Sequence, residues 1–311
     1  MPENILFPPE GLRVQHPISL PALQNALETG AVFEAPVQRC DTPKSLHIQL
    51  GSIKGIMPRE EVLAPWISGS QRDIAILSRV GKMTCFAVTA LTADERGAPI
   101  AYLSRRAVQE QAADYFLQHL QPGSIVTAKV THLASFGAFL DIGCGIIAML
   151  PIEHISVSRI AHPKERFRVG QKILAAVLSI DREKRRFVMT HKELLGTWME
   201  NASRFRSGET VSGIVRSVMD YGSFIELAPN LSGLSDNRDD LSPGDAVSVF
   251  IKSIRPERMK IKLHLIEKLA GSPVPAPLRY QITDGVLDHW IYSPPNYERQ
   301  PMETVFKEAC P

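Results

Sequence analysis

The sequence predicts an all-β protein: three tandem five-stranded barrels joined by short α-helices. Two copies of one unit are visible, because GSIVTAKVTHLASFGAFLDI at 123–142 aligns without a gap with GETVSGIVRSVMDYGSFIEL at 208–227. Gly123, Val126, Val130, Gly137 and Phe139 meet identical residues there, and so long an interval marks repeated domains, not a solenoid. Within a unit, short segments rich in Val, Ile and Phe are broken by Gly, Pro and Asp, the pattern of strands joined by turns. Such a small sheet removes its exposed edges by closing on itself.

Taken in order, residues 1–27 form an N-terminal extension without the basic and apolar regions of a leader peptide. Residues 28–105 are a degenerate repeat: RVGKMTCFAV (79–88) echoes RVGQKILAAV (168–177), GIMPREEV (55–62) echoes AMLPIEHI (148–155), and LHIQLG (46–51) replaces AFLDIG (138–143). This copy puts His47 where the second has Phe139, and CDTPKS before it holds no aromatic. A linker helix is expected over 106–121. The second repeat, 122–193, places strands near 125–133, 138–142, 146–150, 171–180 and 185–190, with a helical turn and loop in VSRIAHPKERFRVG. A second linker helix is expected over 194–205, where Leu194, Leu195, Trp198, Ala202 and Phe205 recur at helical spacing and Trp198 is the packing anchor. The third repeat, 206–269, is shortened, its middle loop SDNRDDLSPGD acidic. The tail, 270–311, is broken by proline and expected to be irregular, with a hairpin around Asp284-Gly285.

With 311 residues, 44% of them hydrophobic and 22% charged, the chain has material for several cores. No apolar run approaches the roughly 18 residues that span a bilayer, so a cytoplasmic protein without a membrane partner is expected. Cys40, Cys85, Cys144 and Cys310 lie far apart and are expected as reduced thiols. Nine histidines without a paired spacing argue against a metal, and no cofactor is expected. Phosphate-cradling glycine loops, a nucleophile elbow and paired catalytic carboxylates are all missing from the sequence, so no enzymatic activity is expected. Net charge is +2, but residues 122–193 hold eleven Lys or Arg against six Asp or Glu, whereas 206–269 hold nine of each. The second repeat is therefore the better candidate for a polyanion.

Side-chain alternation suggests where such a ligand would lie. In AFLDI, Phe139 shares a strand face with Asp141, and in SFIEL, Phe224 shares one with Glu226; aromatics beside carboxylates are expected to face solvent. Phe136 and Tyr221 stand three residues earlier, across a glycine expected to bend the strand so that both rings meet. A lone FGAF fits a barrel end equally well; its recurrence in one register favours an exposed platform on which bases stack. Lys129, the DREKRRF turn with Arg182, Lys184, Arg185 and Arg186, and the HPKERFR loop at 162–168 supply cations for phosphates. Asp141 and Glu226, sitting at equivalent places, are read as carboxylates that keep the strand soluble.

The order GxxVxAxVxxxxxFGAFLDIG, a small-hydrophobic-Pro-Ile segment, VGQ and then VLSIDREKRRFVMTHKE resembles the RNA-binding repeat of the ribosomal protein S-one family. The resemblance is strong over 122–193, fair over 206–266 and faint over 28–105, and it implies OB-fold barrels. It also implies a nucleic-acid face of two aromatics, a histidine, an aspartate and an arginine. Phe136 and Phe139 match the aromatics, Asp181 the aspartate and Arg186 the arginine; Pro151 occupies the histidine position, leaving His154 or His132 as substitutes. The third repeat keeps Tyr221, Phe224 and Lys260, with Arg255 in place of the aspartate. The implied ligand is single-stranded RNA, bound by a monomer that handles mRNA in translation with the small ribosomal subunit as partner. An accessory subunit of RNA processing or decay, or a protein-interaction scaffold, are the alternatives; the first repeat, lacking a platform, is expected to dock to a partner.

Overall fold

The computed structural model of the chain describes residues 6–14, 17–66, 71–236, 238, 240–271 and 277–306. The first residues of the extension, Asn237 and Asp239 of the acidic loop, Ser272–Ala276 of the tail and Cys310 lie outside them.

Helix α1 (Leu20–Thr29) starts where the Ser19 side chain caps Ala22 N–H and ends at Gly30, which is left-handed. The first barrel follows: β1 (Phe33–Cys40), β2 (Leu46–Leu50), β3 (Ile53–Met57), short helices α2 (Arg59–Val62) and α3 (Gln71–Leu77), β4 (Met83–Ala93) and β5 (Pro99–Ser104), closed in the order β1-β2-β3-β5-β4. Helix α4 (Arg105–His119) leads to the second barrel, β6 (Ile125–Ala134), β7 (Gly137–Gly143), β8 (Ile146–Pro151), β9 (Lys172–Asp181) and β10 (Arg186–Thr190), closed as β10-β8-β7-β6-β9. A turn of 3-10 helix and α5 (Trp198–Ala202) precede the third, β11 (Thr210–Met219), β12 (Gly222–Ala228), β13 (Leu231–Ser235), β14 (Ala246–Arg255) and β15 (Lys260–Lys268), closed as β11-β12-β13-β15-β14. The tail adds a two-stranded ribbon, β16 (His289–Ile291) with β17 (Glu303–Val305).

Strand alternation builds each core. Along β8, Ile146, Ala148 and Leu150 are buried while Ile147 is exposed. The three barrels repeat in detail: the N–H groups of Gly81, Gly170 and Gly244 donate to the carbonyls of Val37, Val130 and Val215 at 2.8, 2.7 and 2.8 Å. Each first strand also carries a bulge just after that valine.

Two segments differ from expectation. The second linker is not one helix over 194–205, because Gly196 at φ +86° interrupts it and Thr197 with Glu200 forms a new capping box that starts α5. Trp198 is indeed buried, within the core of the third barrel. In the tail, residues 280–293 do not fold back at Asp284-Gly285; Gly285 carbonyl accepts from Ile125 N–H and Leu287 N–H donates to Gly123, so this segment lies along the second barrel. Edge pairing with an existing barrel satisfies backbone groups that an isolated short hairpin would leave to water. Farther on, Trp290 and Tyr292 enter the third barrel's core cluster and Trp198 N–H donates to Tyr292 carbonyl, so the tail straps two barrels together.

Candidate nucleic-acid interface

The spacing of the two aromatics has a simple origin: Phe136 and Tyr221 occupy the turns before β7 and β12, not the strands. Phe136 is 58% exposed and Phe139 half-buried, with ring centroids 6.0 Å apart and edge to face. Tyr221, 69% exposed, meets Phe224 in the same way at 6.3 Å. Gly137 is not needed for a left-handed backbone: a Cβ there would lie 2.4 Å from Leu150 carbonyl oxygen, so glycine permits close approach of β8. Gly222 requires both, at φ +145° and 2.5 Å from Ser235 carbonyl oxygen.

Across the second barrel's outer face, neighbouring strands align His132, Phe139, Met149, Val188 and Ser179 in one row. His132 stacks obliquely on Phe139 at 5.8 Å. Regular alternation from buried Val130 would put His132 inside; the bulge between them turns it outward, which is why simple parity does not find it. His154 is half-buried beside Thr190, its pKa lowered by burial and then by Lys192. Met149 is a further half-exposed apolar neighbour that no motif singled out. The same row in the third barrel reads Ser217, Phe224, Leu234, Lys262 and Ser253, and in the first Arg39, His47, Ile56, Tyr102 and Ala90. In the first barrel, Asp41 holds His47 Nε2 at 2.8 Å where the others present phenylalanine.

The expected cations divide into two groups. Arg186 is exposed and has no ion-pair partner among the described residues; Asp181, opposite it, caps the hairpin by accepting from Lys184 N–H at 2.9 Å. Arg182 donates to Leu117 carbonyl and Arg185 pairs with Asp114 at 2.8 Å, so both hold α4 to the second barrel. Lys129 is not a free outward cation: its Nζ donates to Glu10 carbonyl at 2.7 Å. In the 162–168 loop, Lys164 and Arg168 remain exposed, but Arg166 is buried and its Nη2 lies 2.5 Å from Glu226.

The two carboxylates require a correction. Asp141 and Glu226 are 2% and 3% exposed, and they join units together instead of solvating a strand. Asp141 accepts N–H donors from Glu10, Gly143 and Gly145 at 2.8, 2.8 and 3.0 Å. Glu10 in turn receives Arg105 and Arg79 of the first repeat, each at 2.7 Å. Burial raises the Glu10 pKa, and the two guanidiniums more than offset it, holding the carboxyl at about 2. Burial and then the Glu10 charge push Asp141 up to about 7. Glu226 is held by Arg166 from the second barrel and by Arg216 Nε at 2.7 Å, while Arg216 also pairs with Glu165. Both carboxylates lie outside their barrels' cores, but the N-terminal extension at Glu10 covers Asp141 and the second barrel at Arg166 covers Glu226, and a buried carboxylate needs such partners.

The S1 RNA binding domain family matches residues 119–192. The chain is 30% identical over 262 residues to the small ribosomal subunit protein bS1 homolog of Bacillus subtilis, covering 79% of this chain and 65% of that protein. It is 30% identical over 188 residues to small ribosomal subunit protein bS1 of Staphylococcus aureus (strain COL), covering 55% and 48%. The matched region thus spans less than two thirds of either relative's length. Residues 119–192 thus match the S1 RNA binding domain family, and this chain of tandem barrels is similar in sequence to the bS1 proteins.

Proposed function

We propose that the chain is a non-catalytic, monomeric cytoplasmic protein that binds single-stranded RNA, with the second barrel as principal site and the third assisting, and that it acts on mRNA at the small ribosomal subunit. The observation that carries this reading is an aromatic pair, one ring exposed and one half-buried, recurring at the same place in two barrels, Phe136 with Phe139 and Tyr221 with Phe224. Bases stack on Phe136, Phe139, His132, Tyr221 and Phe224, while Arg186 and Lys260 face phosphates. Asp181 bonds an exposed base edge or ribose hydroxyl, and His154 and Lys129 border the site from positions already engaged by protein. The ribosomal part of the proposal rests on the names of the relatives, and residues 28–105, without a paired platform, serve in docking. No helix among the described residues is long and apolar enough to cross a membrane.

Stacking contributes about 1 to 3 kcal/mol per base, so removing one aromatic pair is expected to weaken binding at least tenfold. A filter-binding titration of single-stranded RNA at two salt concentrations compares wild type with Phe136→Ala/Phe139→Ala. Equal affinity of the two proteins would refute the platform. Cosedimentation with purified small ribosomal subunits tests the partner.

A further inference from the structure

The third barrel's β14–β15 hairpin departs from its counterpart in one telling way. In the second barrel the pair across the hairpin end is Asp181 and Arg186, opposite charges; in the third it is Arg255 and Lys260. Like charges directly opposite on neighbouring strands repel. Arg258 sits in the turn between them, and the tail brings Arg299 alongside: Arg258, Lys260, Tyr297, Glu298 and Arg299 line one small pocket of about 130 Å³. The tail is fixed there by Glu298 N–H donating to Glu257 carbonyl at 3.1 Å and by the Arg258 Nε to Glu298 carboxylate contact at 3.0 Å. That ion pair neutralises Arg258 alone. Arg255, Lys260 and Arg299 are exposed and have no ion-pair partner among the described residues.

We propose that this pocket is a phosphate-binding site for the RNA strand, built jointly by the third barrel and the C-terminal tail. It rests on the RNA-binding reading above and adds a site that the barrel repeat does not contain, since Tyr297 and Arg299 belong to the tail. A phosphate supplies the negative charge that the Arg255–Lys260 pair lacks, accepts from Lys260 Nζ and the Arg299 guanidinium, and takes a further donor from the Tyr297 hydroxyl. Lys260 lies two residues before Lys262, whose row contains Phe224, so the pocket is about 7 Å along the strand from the stacking row. One nucleotide step covers that distance, placing a phosphate here while a base lies on Phe224. The site compensates for the acidic middle loop of this repeat.

The test uses the full chain and oligouridylate of about 16 nucleotides, long enough for a single OB-fold site, followed by fluorescence anisotropy over a salt series. Arg255→Asp puts a carboxylate across from Lys260, as Asp181 stands across from Arg186 in the second barrel, and Arg299→Ala removes the tail's cation; both positions are exposed. Together they are expected to weaken binding about tenfold and to make the log–log salt slope shallower by about 0.7 per lost phosphate contact, with thermal stability unchanged or raised. A 5′-phosphate that strengthens binding only when Arg299 is present identifies a strand end as occupant; equal affinity of 5′-phosphate and 5′-hydroxyl strands, with the salt-slope loss intact, identifies an internal phosphodiester. Wild-type affinity and slope in the double variant, while Phe136→Ala/Phe139→Ala is impaired, overturns the pocket and leaves the RNA reading standing. Should wild type bind no RNA, tripolyphosphate decides: a rise in melting temperature in wild type that the double variant loses supports the pocket, and equal rises or none overturn it.

Discussion

Glu226→Ala is the perturbation that most directly tests how the second and third barrels are joined. The carboxylate is 2% exposed as a side chain and lies between Arg166 and Arg216, 1% and 8% exposed. Removing it leaves two buried guanidiniums facing each other, with Glu165 as the remaining nearby anion for Arg216. Breaking a buried pair from one side costs about 3 to 5 kcal/mol, because the abandoned charge stays desolvated. Replacing the cluster as a whole, Glu226→Leu with Arg166→Met and Arg216→Leu, is expected to be near neutral, since both the attraction and the desolvation disappear. Urea denaturation followed by tryptophan fluorescence reads this region, because Trp198 and Trp290 are buried in the third barrel's cluster. A loss below about 1 kcal/mol for Glu226→Ala, the value of an exposed pair, would show that the cluster is hydrated in solution and refute the reasoning.

Two pH dependences of opposite sign follow from buried groups. His191 is fully buried, its Nδ1 donating to Ile155 carbonyl and its Nε2 facing Tyr280 hydroxyl at 3.1 Å; burial depresses its pKa from 6.5 to about 4. Its contribution, on the order of 3 kcal/mol, is present above pH 6.5 and lost as pH falls toward 4, so urea midpoints of wild type should drop more steeply across that interval than those of His191→Gln. A parallel pair of curves would count against a neutral, buried imidazole. Asp141 behaves inversely: its pKa is raised from 3.8 to about 7, so the folded state holds an extra proton and stability declines as pH rises between those values. The midpoint difference between wild type and Asp141→Asn should therefore change between pH 4 and 7 and be constant above about 8; a difference flat throughout would mean that the carboxyl titrates normally.

Much of this architecture is legible in the residues themselves. Val, Ile and Phe alternation delimits the strands of the second repeat to within a residue or two, since β6 to β10 begin and end almost where glycine, proline and aspartate punctuate the chain. Alternation also identifies Phe139 and Phe224 as outward. What it cannot reveal is whether an outward position meets water or another part of the chain. Asp141 and Glu226 look like surface carboxylates because their burial depends on Glu10 and Arg166, 131 and 60 residues away in sequence. Arg166 reads as part of a basic loop for the same reason. His132 is hidden from parity by a bulge, whose extra residue carries no sequence marker in THLAS. The tail gives no periodic signal because it borrows its order from the barrels, through Tyr280, Leu287 and Tyr292, instead of forming a core of its own.

The shared placement of Asp141 and Glu226 also defines what can be cut from this molecule and grafted elsewhere. A barrel excised at its own first strand would carry its carboxylate but leave behind the residues that cover it: Glu10 for the second, Arg166 for the third. The transferable module is thus a barrel plus the covering segment beside its aromatics, the N-terminal extension around Glu10 for the second barrel and the loop around Arg166 for the third. A chimera that shuffles whole barrels without that segment would expose a carboxylate designed for the interior and release the joint that fixes one stacking face relative to the next.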